Sequence, residues 1–176
     1  MKNRIYPTWD EIEKLHNPLT EGERTLARFL DNTLTQEWDI FVQPYLNGRR
    51  PDIIVFNQDV GVIIYEVKDS DLSSCSKKNG KLQVKKAVKQ VGQFKEKIID
   101  IVPDLGEEMD KNKLAFGLVK TALYFHNTQG KILRKFFNKP FPKLIGYDDL
   151  VGSNLRNILP FSKEAVRHFK STPIRD

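Results

Sequence analysis

Two apolar runs five residues apart constrain this chain more than any other feature. Asp52-Ile53-Ile54-Val55-Phe56 and Val62-Ile63-Ile64-Tyr65-Glu66-Val67-Lys68 are rich in β-branched and aromatic residues, and Asn57 to Gly61 between them has turn chemistry. The pair reads as a β-hairpin. Apolar side chains fall on both faces of each strand, which predicts a hairpin in the middle of a sheet covered on both sides. Centring the turn on Asp59 pairs Phe56 with Val62, Ile54 with Ile64, and Asp52 with Glu66. Directly opposite residues have Cβ atoms roughly 4.5–5.5 Å apart, so two carboxylates would face each other at the end of a buried hairpin. Like charges so placed destabilise unless something neutralises them. Alternation puts Lys68 on the face of Glu66, one step further out. Two oxygen ligands beside an ammonium suit a hard cation of the Mg²⁺ type.

The flanking segments supply covering layers. Thr8-Trp9-Asp10-Glu11 is a capping box opening a short helix that stops at Asn17-Pro18. A second box, Thr20-Glu21-Gly22-Glu23, opens a helix to about Thr35 whose apolar residues are Leu26, Phe29, Leu30 and Leu34. Helical projection turns Glu23 towards that apolar side and Glu21 away from it. Glu23 therefore has two readings: it closes back on Thr20, or it looks into the sheet. Trp38 to Leu46 reads as a strand, with Pro44 near its end or at an edge. Asp69 to Gln83 is polar, and Lys78-Asn79-Gly80-Lys81 has the chemistry of a small hairpin tip. Lys85 to Val102 is amphipathic and closed by Pro103; Gln90 borders its apolar face, a solvated edge or a residue in reach of the hairpin end. Leu114 to Phe125 is a strongly apolar strand, and 126–142 a loop with one short element. Lys143 to Tyr147 reads as a last strand and Ser162 to Lys170 as a last short helix. The order predicts an α/β protein with a central mixed sheet between helices.

Composition narrows the function classes. The 176 residues suit one domain spanning 1–176, with a core at about 20–125, an N-terminal helix in 1–19 and an extension over 126–176. The one cysteine, Cys75, excludes an intrachain disulfide and a Cys-pair zinc site; in its Ser-rich loop it reads as a surface thiol. His16, His126 and His168 show no ligand spacing, although His126 follows an apolar strand and could approach the site. Met1 to Lys14 has no apolar leader and no run is long enough to span a bilayer, so a soluble cytoplasmic protein without membrane attachment is expected. The net charge of +6 is concentrated: Lys77 to Lys97 holds eight lysines and one glutamate, a local +7. A lysine run is usually a solvated face; next to an acidic metal site it is expected to offset the negative charge and guide a phosphate backbone. Lys77, Lys78, Lys81, Lys85, Lys86 and Lys89 are its candidate nucleic-acid contacts. Phe136, Phe137 and Phe141 lie among Arg134, Lys135, Lys139 and Lys143; a core or partner-interface role is favoured over a base-stacking platform.

Pro51-Asp52 followed by Glu66-Val67-Lys68 resembles the PD-(D/E)XK signature of restriction-endonuclease-like nucleases. More narrowly, Glu21-Gly22-Glu23, Arg50 to Val55, Gly61 to Lys68 and a helix bearing Gln90 resemble the nuclease-related domain, NERD, over residues 20 to about 100. The resemblance implies a restriction-endonuclease-like three-layer core and Mg²⁺- or Mn²⁺-dependent hydrolysis of DNA. It also implies roles for residues. Asp52, Glu66 and the Val67 carbonyl would hold the metal, and Lys68 would orient water and stabilise developing charge. Glu23 would complete the acidic site, and Gln90 would hold Lys68 or a phosphate. Asp69, directly after the lysine, departs from the pattern; on the opposite strand face it is expected to be a solvated neighbour, the alternative being that it perturbs the site. The alternative is a non-catalytic DNA-binding or assembly module of a larger helicase- or kinase-like protein, with an oligomer possible. Action on structured RNA finds no RNA-specific module in the sequence.

Overall fold

The hairpin forms with the register that the turn arithmetic requires. In the computed structural model, which describes residues 3–58, 60–101 (backbone alone at 99–101), 119–140, 142–151, 155 and 158–160, Phe56 pairs with Val62, Ile54 with Ile64 and Ile53 with Tyr65. These strands, β3 (Ile53–Asn57) and β4 (Gly61–Lys68), are the centre of a six-stranded sheet of order β1-β2-β3-β4-β5-β6. The others are β1 (Ile5–Tyr6), β2 (Asp39–Val42), β5 (Val119–Phe125) and β6 (Lys143–Gly146). The β2-β3-β4 meander is antiparallel, whereas β1-β2, β4-β5 and β5-β6 are parallel. The protein is α/β, with a mixed sheet between helical layers.

Period-two alternation builds the two cores. Ile63, Tyr65 and Val67 of β4 pack with Leu26, Ala27 and Leu30 of helix α2 (Glu21–Thr33), near which lies the single-turn helix α1 (Trp9–Ile12). Ile64 faces the opposite way, with Val84, Ala87 and Val91 of the long helix α3 (Lys77–Ile101) and Leu133 of helix α4 (Gly130–Phe136). Because α2 and α3 cover opposite faces, Glu66 and Lys68 share their side of the sheet with Ile64 and α3.

Several boundaries differ from the sequence expectation. The capping boxes form at Thr8 and Thr20, but α1 stops at Ile12 and α2 at Thr33. The expected strand from Trp38 to Leu46 narrows to Asp39–Val42, because Gln43 takes a positive φ of 47° and turns the chain before Pro44. The two-residue β1, too short to leave a pattern, was not expected. Lys78-Asn79-Gly80-Lys81 is not a hairpin tip: it lies in the first turns of α3, which begins eight residues before the expected Lys85. Buried Val84, Ala87 and Val91 continue a helical stripe backwards to Gly80, which is itself buried under the Phe136 ring. Asn-Gly signals a hairpin only between strands, and here tertiary packing overrides it. The short element expected within 126–142 is α4, and β6 lies where the last strand was expected. The segments 102–118 and 161–176, with Phe141, lie outside the described residues, as do the expected start at Leu114 and the helix at Ser162 to Lys170.

No described helix is long and apolar enough to cross a membrane.

Two glycines of α3 give a test of this packing. A Cβ on Gly92 would meet nothing within 4 Å, whereas one on Gly80 would stand 2.5 Å from Phe136 ring atoms. Gly92→Ala should stabilise by about 0.5–1 kcal/mol, the usual helical gain. Gly80→Ala should lower the thermal midpoint instead; equal gains at both positions in a denaturation series would refute the α3–α4 contact.

Candidate active site

The site sits where β3 and β4 stop pairing. Beyond the Ile53–Tyr65 pair, the Asp52 side chain replaces a backbone acceptor: its Oδ2 takes the Val67 N–H at 2.6 Å. This brings the Asp52 carboxylate against β4, near Glu66. Lys68 Nζ donates to Glu66 Oε1 at 2.6 Å and to Gln90 Oε1 of α3 at 3.1 Å. Four residues singled out from sequence are thus assembled from three elements, and Gln90 is within reach of the hairpin end. Within a strand, the N–H and C=O of one residue point to the same neighbour. The Val67 carbonyl therefore lies on the Asp52 side.

Glu23 reaches the group from the other face of the sheet. Its Oε2 accepts the Thr20 N–H at 2.8 Å, and its own N–H donates to Thr20 Oγ1 at 3.2 Å, so the capping box is closed. The same Oε2 accepts from Gln43 Nε2 at 3.1 Å, and the negative charge of Glu23 is felt at Asp52. Both readings of Glu23 therefore hold at once.

These acids are short of positive charge. Burial, and next the charge of Glu66, push Asp52 up to about 8, against the Val67 N–H that favours its ionised form; Glu23 adds to the rise. Burial also raises Glu66, which is 2% exposed, and the Lys68 hydrogen bond and charge oppose this. Glu66 Oε2 is buried with no hydrogen-bond partner among the described residues. An orphaned carboxylate oxygen is costly and calls for a cation or an ordered water. The donor set of Glu66 Oε2, Asp52 and the Val67 carbonyl fits a hard divalent ion. Among the described residues no group of three or more His, Cys, Asp and Glu side chains could hold a metal ion, so water would complete such a shell.

Two residues of the site escaped the sequence reading. Gln43 pins Glu23 through its amide and donates its backbone N–H to the Asp52 carbonyl at 2.7 Å. It does so from the left-handed region, which non-glycine residues avoid, and its Oε1 is buried without a partner among the described residues. A polar residue before proline at a strand end was the only signal. Asp69 is the second: it is exposed, as a solvated neighbour should be, but its hold on α2 was not expected. Its Oδ1 accepts the Gly22 N–H at 2.9 Å and so holds the start of α2 against the end of β4. The approach is so close that a Cβ on Gly22 would collide with that carboxylate and come within 2.9 Å of Val67 and His126.

The remaining candidates divide. Lys77, Lys78, Lys81, Lys85, Lys86 and Lys89 are all exposed along α3, with Lys86 one turn before Gln90. His126 is held on the α2 side, its Nδ1 2.9 Å from the Tyr124 hydroxyl and its Nε2 3.8 Å from Glu21. Cys75 is half-buried against the α3-side core, with Gln83 Nε2 3.7 Å from its sulfur. His16 lies in the α1–α2 connection, and His168 is outside the described residues.

No protein-family model matches the sequence, and no curated protein matches it either. Two solved structures are similar in chain course. One is a repair endonuclease from Pyrococcus abyssi, at 12% identity and a TM-score of 0.40, over 74% of this chain and 47% of that one. The other is an EndoMS–dsDNA complex, at 16% identity and a TM-score of 0.35, over 62% and 38%. The chain thus spans less than half the length of either.

Asp52 retains its proton in the folded protein at pH values where the unfolded chain, with an ordinary aspartate near 3.8, has lost it. Its contribution is fully present below about pH 4 and declines as pH rises towards 8. Asp52→Asn should therefore raise the thermal midpoint at pH 8 by several degrees and change it little at pH 4; the same difference at both would contradict the crowding of acids. Gly22→Ala should lower thermal stability and weaken protection of the Glu23 amide in hydrogen exchange. Unchanged protection there would mean that α2 does not depend on its contact with Asp69.

Proposed function

We propose that the chain is a metal-dependent DNA nuclease domain of the PD-(D/E)XK type, restriction-endonuclease-like and related to NERD, that hydrolyses phosphodiester bonds. The observation that carries this reading is the buried Glu66 carboxylate. One of its oxygens is bound by Lys68, the other is orphaned, and Asp52 faces it. A purely structural ion pair has no need for a second and third acid, which raise the cost of folding.

Phosphodiester hydrolysis needs water aligned with the phosphorus and compensation for charge growing on the phosphoryl oxygens. Lys68 is placed for both: its ammonium keeps a third donor beyond the two given to Glu66 and Gln90, and its side chain is only partly buried. Gln90 fixes the lysine so that little reorganisation is needed when substrate arrives. Glu23, Gln43 and Thr20 hold Asp52 from behind. A bound Mg²⁺ or Mn²⁺ on Asp52, Glu66 and the Val67 carbonyl would polarise the phosphoryl group and lower the pKa of a water molecule. The exposed α3 lysines supply attraction that the acidic centre cannot. In this reading the domain works on DNA as one module, alone or beside a helicase- or kinase-like partner.

Cleavage of supercoiled, linear and single-stranded DNA with Mg²⁺ or Mn²⁺ tests the proposal. Lys68→Ala and Asp52→Ala should each lose at least about 10²-fold in rate. Gln90→Ala should lose about 10–100-fold, as expected of a residue acting through another. EDTA should abolish the reaction. DNA binding without cleavage by the wild type would instead identify a non-catalytic assembly module.

A further inference from the structure

The nuclease reading uses the lysines of α3 and leaves a second basic segment without a role. Lys131 to Lys143 carries five cations and no acid; with the +7 of Lys77 to Lys97, these two stretches hold +12 and leave the rest of the chain at −6. Far apart in sequence, they are neighbours in the fold, because Phe136 of α4 packs on Gly80 in the first turn of α3. Lys77, Lys78 and Lys81 next to that contact are exposed, and so are Arg134, Lys135 and Lys139 of the other segment.

Where α4 ends, this surface becomes concave. Arg134, Phe137, Asn138, Lys139 and Lys143 contribute to the wall of an open cavity of about 460 Å³, within the usual range for small-ligand sites. The two adjacent phenylalanines have divided their roles: Phe136 is spent on Gly80, while the half-buried Phe137 reaches both the core and the cavity. Asp149 stands 3.8 Å from Arg134, too far for a tight pair, so it only partly offsets the guanidinium. Lys143 is half-buried, and that burial lowers its pKa; Asp149 opposes the shift more than Arg134 adds to it. Cations crowded at the rim of a cavity favour an anion. An aromatic wall and a side-chain amide beside them favour a base attached to it.

We propose that this cavity is a subsite for one phosphate and its unpaired base, reached along the α3–α4 surface, so that the substrate is DNA with a single-stranded segment. The proposal rests on the nuclease reading for the direction of the strand. A base in a continuous duplex is stacked on both sides and cannot enter such a cavity; a base in a tail, flap or gap can.

Fluorescence anisotropy without divalent cation separates this subsite from catalysis, using labelled single strands, blunt duplex, and duplex with a single-stranded tail. Phe137→Leu keeps an apolar contact to the core but removes the stacking face. It should raise Kd for single-stranded and tailed DNA about 5–100-fold and leave blunt duplex unchanged. Arg134→Gln with Lys139→Gln should weaken the same ligands at least about tenfold and reduce the salt slope by roughly 1–2. Thermal midpoints should stay near wild type. Equal losses on all three DNAs, unchanged affinity in both variants, or no DNA binding by the wild type would overturn the subsite. Cleavage by the wild type is read separately: selective binding loss without any cleavage leaves the subsite and removes the nuclease reading, whereas cleavage with unaffected variants does the reverse.

Discussion

Everything around the site depends on one substitution of partners: the Asp52 carboxylate takes a β4 amide where a β3 carbonyl would otherwise stand. That 2.6 Å bond to the Val67 N–H ends the hairpin and draws an acid against the strand that carries Glu66. The cost is a cluster of carboxylates with one lysine among them. It shows in the raised Asp52 and Glu66 pKa values and in the orphaned Glu66 oxygen. This crowding is concentrated at one point of an otherwise consistent fold, and it is the feature on which the nuclease proposal rests.

The sheet lets two helical layers serve that point from opposite sides. From the α3 side, Gln90 steadies Lys68; from the α2 side, Glu23 meets Asp52 around the strand end. The second delivery requires α2 to begin almost in contact with β4, and Gly22 and Asp69 make that possible. Glu23 thereby satisfies a helix N-terminus while its carboxylate lies close enough to Asp52 to raise that group's pKa. The first role fixes its rotamer for the second.

Charge follows the same division of labour. The acids are buried at the strand ends, and the bases are exposed on α3 and α4, where substrate would arrive. The Gly80–Phe136 contact joins two basic segments into one surface and places the cavity beside Phe137 at its end.

Much of this was legible in the chain itself. Strand periodicity set the hairpin register and put Asp52 near Glu66; helical periodicity turned Glu23 and Gln90 towards the sheet. Local pattern suffices there because neighbours two, three or four residues apart share a face in any strand or helix. Local pattern misled at Asn79-Gly80, read as a turn, and gave no sign that the exposed Asp69 also anchors the start of α2. In both cases the deciding partner, Phe136 or Gly22, is about 50 residues away in sequence. Gln43 left little more than its place before Pro44, because its backbone conformation comes from the turn it must make, not from its side chain. The sequence by itself thus determined the acids, the lysine and the strands that carry them. Only the tertiary structure decided which oxygen stays unpaired, what holds Glu23, and where the basic segments meet, because those depend on contacts between elements that no local periodicity encodes.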